Sequence, residues 1–416
     1  MRSRRDLSIG RSPTSTTLKP TNLPILLTPS SSSIRLALLA LIFAVIPSTF
    51  AAPSTPTELQ PEPKQLAVSS VRDAPGLPSN GLVSNGIHLG FLPFWSDEGP
   101  RAICTALGSC AAIWGDYWNV GTSPGTYTFA QADYHIDEIQ RVVGGDVKGV
   151  YAPAVLFSGR MDQWTDAMTT QLVSTVRSIN RRGITVWLRF CYEMVSPRAI
   201  YQSKRASSDP PSLQNGGWMS YGLQPEEYVA VWRRVTTAIR AATNETYMFW
   251  APNLWNGPVD DSVQGYTPYW PGEDYVDVAG LSVYWFGPER SINQVPETGS
   301  FRESLQPFYN LVGGAGSNPL KLKQGFPVVV AESSAPYYFD IPSSSRYYTQ
   351  QGDTDIQPPL PNLNNYRASL NEPNPYPRSD DELAVKATWI AQMTGNSTAQ
   401  RFPNLKAITW FNYLKK

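Results

Sequence analysis

The sequence predicts a TIM barrel, a (β/α)8 fold of the α/β class, formed by a single domain behind a disordered N-terminal leader. Eight short β-rich apolar runs recur from Gly86 onward, and amphipathic helical segments lie between them. The length of 416 residues suits one barrel with extensions. A doubly wound open sheet is the alternative, but no glycine-rich phosphate loop follows the first run.

The predicted strands are short and regularly spaced. In order they are GIHLGFLP (86–93), AAIWGDYW (111–118), GVYAPAVLF (149–157), ITVWLRFCYE (184–193), TYMFWAPN (246–253), VDVAGLSVYW (276–285), FPVVVAE (326–332) and KAITWFN (406–412). Two helical segments are well marked. Residues 165–183 end in basic residues and a glycine, and residues 225–243 open with Pro225 and two glutamates, as helix termini should.

The N-terminal region has the features of an export signal. A basic start, MRSRR, is followed by the apolar run LALLALIFAVI (36–46), which is too short to span a bilayer, and then by small residues. We expect residues 1–51 to be a signal peptide cleaved near Ala51, with a membrane anchor or a misplaced start codon as alternatives. Residues 52–85 read as a Pro/Ser-rich linker, and 86–416 as the barrel domain. The mature protein is then expected to be secreted and extracellular, without stable membrane association.

Composition narrows the choice of partners. The formal net charge is zero, which gives no electrostatic reason to expect nucleic acid or an anionic membrane. The chain has 13 Trp and 21 Tyr, which suit either a large core or a sugar-binding cleft. With only two histidines and no zinc-like Cys/His spacing, no metal or other cofactor is expected. A serine triad is disfavoured because neither histidine is accompanied by a nucleophile-elbow motif.

Cysteines and sequons fit an exported protein. Cys104 and Cys110 are close enough in sequence to form a small disulfide loop, whereas Cys191 lies within a predicted strand and reads as a buried small hydrophobe. Asn244 and Asn396 begin Asn-x-Thr sequons, so both are expected at the surface as glycosylation sites.

Two glutamates end predicted strands. Glu193 closes run four and Glu332 closes run seven, and barrel chemistry sits at the carboxyl ends of the strands. Glycosidic bond hydrolysis needs a proton donor and an opposed carboxylate, about 5–5.5 Å apart for retention and farther apart for inversion. Arg189 lies on the same face of its strand as Glu193 by parity and could hold Glu332 ionised. Tyr284 could donate its hydroxyl to the same carboxylate.

Other strand ends carry candidate sugar-binding side chains. The candidate sugar-binding residues are Trp250, Asn253, Trp285 and Trp410. Each tryptophan could wall a sugar subsite, or could instead fill the core at the top of the barrel. The residues alone leave both readings open.

The blocks RFCYEM, NGGWMSYGLQPEEYVAVWRRV, MFWAPN, YWPGEDYVDVAGLSVYWFG, PVVVAESSAP and AITWFN occur in an order that resembles family 26 of the glycoside hydrolases, the β-mannanase family. The resemblance covers roughly Gly86 to the end. It implies a retaining endo-acting hydrolase with Glu193 as acid/base and Glu332 as nucleophile, and active-site roles for Arg189, Tyr284 and Trp410. Most members cut β-1,4-mannan, and others cut mixed-linkage β-glucan or β-1,3-xylan.

The sequence departs from the family at three places. Tyr192 stands where a histidine usually precedes the acid/base, and we count it among the substrate-binding candidates. An insert, 195–214, follows Met194; it begins with Val and ends with Gln, so we hypothesise a retained intron, which a transcript containing these codons would overturn. The chain ends just after run eight, where a closing helix is expected, which suggests truncation. The stretch 333–379 is expected to form a loop over the cleft.

Two functions therefore stay open. The first is a secreted retaining β-glycanase, with β-1,4-mannan as the expected polysaccharide and mixed-linkage glucan or β-1,3-xylan as alternatives. The second is a catalytically decayed barrel that binds carbohydrate without turning it over. A monomer is expected in either case.

Overall fold

The computed structural model describes the barrel region with some gaps. The described residues are 73–79, 81–95, 99–123, 129, 131–142, 149–195, 219–222, 224–254, 265–286, 293–314, 320, 322–337 and 379–412. The predicted signal peptide, nearly all of the 195–214 insert and most of the 333–379 loop lie outside these residues.

Eight parallel strands form a closed barrel. They are β1 Ile87–Leu92, β2 Ile113–Val120, β3 Val150–Phe157, β4 Thr185–Phe190, β5 Thr246–Trp250, β6 Val278–Ser282, β7 Val328–Ser333 and β8 Leu405–Phe411. Each strand pairs with the next along the chain, and β8 pairs with β1 to close the ring. A short antiparallel strand, Val83–Ser84, pairs with the start of β1. All eight predicted runs contain a strand, so the barrel prediction is confirmed.

Helices surround the strands. They are α1 Pro100–Leu107, α2 Gln131–Val142, α3 Asp166–Arg181, α4 Pro225–Ala242, α5 Ser300–Val312, α6 Ser379–Thr394 and α7 Asn396–Arg401. Helices α3 and α4 match the two helical predictions within two residues at each end. The Thr165 hydroxyl caps α3 by accepting from the Met168 amide at 3.2 Å, and Pro225 begins α4 because its missing N–H is not needed there.

The side chains of the strands form two apolar clusters, one on each face of the sheet. The larger lies between the barrel and its helices, and the smaller lies inside the barrel. The inner cluster includes Ala152, Trp187, Phe249, Val278, Val329 and Ala407. Alternate residues of one strand fall into opposite clusters, as the period of two in a strand requires. This alternation decides which side chains at the strand ends face the opening of the barrel.

The folded part begins earlier than the predicted boundary at Gly86. Ala74 is buried in the inner cluster, and the indole N–H of Trp187 donates to the Pro75 carbonyl at 2.7 Å. Leu82 also donates its amide to the Cys110 carbonyl at 2.9 Å. Residues 73–79 therefore pack against the base of the barrel, and the C-terminal part of the predicted linker belongs to the domain.

Cysteines and sequons lie where the sequence suggests. The structure joins Cys104 in α1 to Cys110 before β2 by a disulfide, and Cys191 is a buried free thiol. Asn244 and Asn396 are both exposed, so each side chain is accessible to modification. Glycosylation itself stays a prediction. Across the described residues, no helix is both long and apolar enough to cross a membrane.

Candidate active site

An ion pair lies inside the barrel between β4 and β7. Arg189 Nη2 donates to Glu332 Oε1 at 2.6 Å, and the two side chains are only 1% and 4% exposed. The two groups form a charge-assisted hydrogen bond, which is strong because little water reaches it to screen the charges. The contact predicted from strand parity is therefore present in the fold.

A bulge in β7 turns Glu332 toward the lumen. Val330 pairs with Leu281, but the next pair is Glu332 with Ser282, so Ala331 is an extra residue. In a regular strand, Val329 and Ala331 would face inward and Glu332 would face the helices. The bulge resets this alternation, as bulges beside functional sites commonly do. Strand β7 then continues with Ser333 facing outward.

The outward direction of Ser333 supports this assignment. Its hydroxyl accepts a hydrogen bond from the indole N–H of Trp389 in α6 at 2.9 Å. Glu332 and Ser333 thus lie on opposite sides of the sheet, one toward the lumen and one toward a helix.

Tyr284, two residues after β6, completes the surroundings of Glu332. Its hydroxyl donates to Glu332 Oε2 at 2.7 Å, so each carboxylate oxygen has its own donor. Burial, then the charge of Glu332 and then that of Glu193, raises the pKa of the Tyr284 phenol well above its ordinary value. Tyr284 is therefore a hydrogen-bond donor at all working pH values. The charge of Glu193 contributes as well as that of Glu332, so both glutamates lie within electrostatic range of this one phenol.

Glu193 follows β4 in an unusual backbone conformation. Its φ is 53°, and Cys191 has a φ of 46°, so two non-glycine residues lie in the left-handed region. Each such residue costs about 1–2 kcal/mol relative to the right-handed conformation. The Glu193 amide donates to the Ala251 carbonyl at 2.9 Å, which helps to hold the turn. The Glu193 side chain is 8% exposed, so its carboxyl group is mostly shielded from bulk water.

Aromatic rings surround the two glutamates. The Arg189 guanidinium lies 4.8 Å from the centre of the Tyr192 ring, and Tyr192 is 5.6 Å from Tyr117. The centre of the Phe411 ring lies 6.5 Å from that of Tyr117 and 5.8 Å from that of Tyr284. Burial first, and then the charge of Glu332, raises the pKa of Tyr117 well above its ordinary value, which also places that phenol near the pair.

Tyr117 and Phe411 were missed by the sequence reasoning. In the folded barrel, alternation places both on the lumen face: Tyr117 is two residues beyond Gly115 and four beyond Ile113, and Phe411 is four beyond Ala407. No sequence signal separates them from the adjacent tryptophans, because the inward face of a strand is fixed only by its register in the sheet.

Trp250 does not line the opening, and that prediction is wrong. It is fully buried and faces away from the lumen, next to the inward Phe249. Its indole N–H donates to the Tyr269 carbonyl at 3.1 Å, and its ring packs 5.0 Å from Trp270 and 6.0 Å from Phe308 of α5. Trp250 therefore joins the barrel to a helix, the core role that the sequence left open.

Trp285 and Trp410 also belong to the outer core. Trp285 stacks on Trp389 of α6 at 5.7 Å and donates its indole N–H to the Gln294 carbonyl at 2.7 Å. Trp410 is 5% exposed and pairs in register with Phe91 and Ser333, which both face outward. Alternation along β8 therefore turns its neighbour Phe411 toward the opening, so the wall role predicted for Trp410 is wrong. Trp285 is half-buried, and its wall role stays a prediction.

Asn253 lies at the carboxyl end of β5 and is bridged to Ser282 of β6. Among the described residues, Asn253 Oδ1, Ser282 Oγ and Arg189 Nε are buried without a hydrogen-bond partner. Buried polar atoms normally have partners, so water or a polar ligand is expected to supply them. The predicted place of Asn253 beside the opening agrees with its position in the fold.

Comparison with known proteins finds no match to any family model and none among curated proteins. Solved structures do match. A family 26 endo-β-1,4-mannanase catalytic domain from Bacillus sp. JAMB-750 has a TM-score of 0.41 and 16% identity, covering 78% of this chain and 77% of that one. A family 26 β-mannanase from Bacteroides ovatus has a TM-score of 0.39 and 13% identity, covering 79% and 78%. A β-(1,4)-mannanase from Podospora anserina has a TM-score of 0.38 and 14% identity, covering 87% and 64%. The barrel itself is identified by its closed strand order and not by these likenesses.

Proposed function

We propose that this protein is a secreted retaining endo-β-glycosidase that hydrolyses a cell-wall β-glycan, with β-1,4-mannan as the expected substrate. The observation that carries the proposal is the buried contact of Glu332 with Arg189 and Tyr284, with Glu193 following β4, the strand that carries Arg189. Two carboxyl groups with unlike surroundings at the carboxyl end of a parallel barrel are what glycoside hydrolysis needs.

Glu332 is suited to act as the nucleophile. Its two hydrogen-bond donors, one of them the Arg189 guanidinium, fix the direction of its oxygens. In the first step, Glu332 attacks the anomeric carbon and the glycosidic bond breaks. Glu193 gives its proton to the departing oxygen, which leaves as an alcohol, and a glycosyl ester forms on Glu332.

Glu193 then reverses its role in the second step. Its carboxylate takes a proton from water as the water oxygen attacks the anomeric carbon, and the bond to Glu332 breaks. The two displacements consume one water molecule, restore both side chains and retain the anomeric configuration. Glu193 is 8% exposed, so its carboxyl group is shielded from bulk water, as the proton donor to a leaving oxygen should be.

The aromatic surroundings suit a polysaccharide. Tyr117, Tyr192 and Phe411 present rings around the carboxyl groups, and flat rings can stack on the apolar faces of pyranoses. The choice of mannan follows from the resemblance of the sequence blocks, and mixed-linkage glucan and β-1,3-xylan are the alternatives. These glycans differ in linkage and in hydroxyl orientation. Activity measured on each of them identifies the substrate.

The test is release of reducing ends from mannan, mixed-linkage glucan and β-1,3-xylan by purified wild-type protein. We expect Glu332→Ala to lower the rate by about a thousandfold or more. Glu193→Ala should lower it by about 10²–10⁴-fold, the usual loss on removing a general acid. Glu227→Gln, an exposed glutamate in the first turn of α4, is the matched control and should leave the rate unchanged.

The stereochemistry and the role of each glutamate need separate readouts. NMR of the first product formed should show the substrate's own β-anomer. Azide should restore turnover of an activated aryl glycoside by Glu193→Ala and give a β-glycosyl azide, because the small anion replaces water at the intact ester. No release from any glycan by folded wild-type protein contradicts the proposal.

A second candidate is a barrel that binds carbohydrate without cleaving it. The observation that favours it is Tyr192, which packs beneath the Arg189 guanidinium where the resembled family usually has a histidine. This candidate predicts oligosaccharide binding by calorimetry with no turnover, and binding unaffected by Glu332→Ala.

Secretion is proposed from the N-terminal sequence alone. Expression of the full chain in a eukaryotic secretory host, followed by N-terminal sequencing of protein from the medium, should find a start close to Ala52. Retention of the intact leader in a membrane fraction would favour the anchor alternative.

A further inference from the structure

The peptide group that joins Tyr192 to Glu193 is held at both edges. Its carbonyl accepts a hydrogen bond from the hydroxyl of Tyr221 at 2.6 Å. Its N–H, which belongs to Glu193, donates to the Ala251 carbonyl at 2.9 Å. A peptide is planar, so these two bonds together fix the rotation of one rigid unit.

The orientation of this unit decides where the Glu193 side chain points. Rotation of the peptide about its flanking bonds changes φ of Glu193, which is 53° in the structure. A glutamate favours negative φ, so the backbone tends to leave this conformation unless contacts oppose it. Release of one edge would let the peptide turn and would move the carboxyl group away from the opening.

Tyr221 is itself rigidly placed. It is fully buried, and its segment, 219–222, is tied to neighbouring elements. The Ser220 hydroxyl donates to the Phe157 carbonyl at the end of β3 at 2.5 Å, and the Gln224 side-chain amide donates to the Ser220 carbonyl at 2.9 Å. The Tyr221 hydroxyl therefore acts from a fixed point and not from a loose loop.

We infer that Tyr221 is a positioning residue for Glu193, which it serves by holding the Tyr192–Glu193 peptide in its strained orientation. This inference rests on the proposed function, because it gives Tyr221 a role through the acid/base group. Tyr221 touches neither substrate nor the reacting atoms, so its effect is on the geometry of proton transfer and not on substrate binding.

The hydroxyl is a donor throughout the working pH range. Burial first, and more weakly the groups around it, including Glu193, raise the pKa of Tyr221 well above its ordinary value. Ionisation of Tyr221 thus does not interrupt the hydrogen bond to the Tyr192 carbonyl.

Tyr228 provides a matched comparison. It is also fully buried, and its hydroxyl lies 3.5 Å from the Phe190 carbonyl, three residues before Glu193. Tyr228→Phe removes the same atom from the same packed region without releasing the Glu193 peptide. A purely structural role for Tyr221 would make the two phenylalanine variants behave alike.

The experiment compares two substrates that differ in their need for an acid. One is the glycan that the wild type cleaves, and the other is the corresponding glycoside of 2,4-dinitrophenol, whose leaving group departs without protonation. For Tyr221→Phe, we expect kcat/KM on the glycan to fall about ten- to hundredfold, the range for a misplaced catalytic group. On the dinitrophenyl glycoside it should change by less than about twofold, since the first step there needs no acid.

Controls keep a folding defect separate from a positioning effect. Tyr228→Phe should change kcat/KM on both substrates by less than about twofold, because its hydroxyl lies near the Phe190 carbonyl and not at the peptide that carries Glu193. Ser220→Ala loosens the same segment with the Tyr221 hydroxyl intact and should give a smaller loss on the glycan alone. It also carries the test if Tyr221→Phe does not fold, as judged by circular dichroism.

The outcomes separate the inference from the proposed function. Wild-type protein that is inactive on every glycan overturns both. Active wild type with Tyr221→Phe equal to Tyr228→Phe, or with equal losses on the two substrates, overturns only the role of Tyr221. A loss confined to the glycan supports it.

Discussion

The buried pair of Arg189 and Glu332 allows a prediction that does not depend on activity. Arg189→Met removes the positive charge but keeps a long apolar side chain in a site where the pair is 1% and 4% exposed. Two charges about 4 Å apart interact by about 4 kcal/mol at an effective dielectric constant of about 20. Breaking one partner of such a pair typically costs about 3–5 kcal/mol, because the other charge stays buried. We therefore expect the free energy of unfolding to fall by about 4 kcal/mol.

The double variant tests the reason for this loss. Glu332→Gln removes the remaining charge but keeps an acceptor for the Tyr284 hydroxyl, which lies 2.7 Å from the carboxylate in the wild type. Arg189→Met combined with Glu332→Gln should then be more stable than the sum of the single losses implies. The coupling energy should be about 2–3 kcal/mol, within the range for residues in one network.

The assay is urea denaturation at neutral pH, followed by tryptophan fluorescence and by circular dichroism. Arg141→Met is the control, because Arg141 pairs with Glu138 along α2 and its side chain is 56% exposed. That change should cost less than about 1 kcal/mol. Additive single losses, or an Arg189→Met protein as stable as Arg141→Met, would refute the buried-pair reasoning.

Three further predictions concern a disulfide, a histidine and a pair of aromatic side chains. Cys104→Ser removes the disulfide to Cys110, and the chain-entropy relation predicts that the free energy of unfolding falls by about 2 kcal/mol. Urea denaturation measures this loss, and reduction of the wild type should give the same loss. Burial lowers the pKa of His88 from 6.5, so the unfolded chain binds a proton at a higher pH than the folded protein does. The free energy of unfolding should therefore fall as pH drops through about 6.5. The His88→Leu variant should lack this part of the pH dependence of stability. Trp250→Ala should cost about 3–5 kcal/mol of stability with KM unchanged, whereas Phe411→Ala should raise KM about tenfold, the equivalent of one lost aromatic contact. Equal effects of these two substitutions on KM would contradict the assignment of the inner and outer faces.

Local patterns were enough to predict the elements and their order. Each strand of the barrel can be recognised from its own run of apolar residues, without reference to the adjacent strands. The two marked helices can be recognised from the residues at their own ends. The rule that strand ends meet at one edge then placed Glu193 and Glu332 together, and parity placed Arg189 on the lumen side.

Parity within one strand does not decide a position that depends on the register of a neighbouring strand. Glu332 faces the lumen only because β7 has an extra residue at Ala331, and the bulge is defined by pairing with β6 and β8. The choice between Trp410 and Phe411 likewise depends on how β8 aligns with β1 and β7. The sequence of one strand does not specify its register, so the direction of Glu332 and the choice between Trp410 and Phe411 are set only when the sheet assembles.

The sequence by itself determined the barrel, its strand order and the two carboxylates at its carboxyl end. Only the tertiary structure decided which aromatic rings face the opening, how far the domain extends before Gly86, and which groups hold Glu193. Tyr221 shows the reason. It follows Glu193 by 28 positions, and its 2.6 Å hydrogen bond to the Tyr192 carbonyl depends on the path of the chain between them, which no local pattern encodes. Strained backbone of the kind found at Glu193 is favourable only when such distant contacts oppose its relaxation.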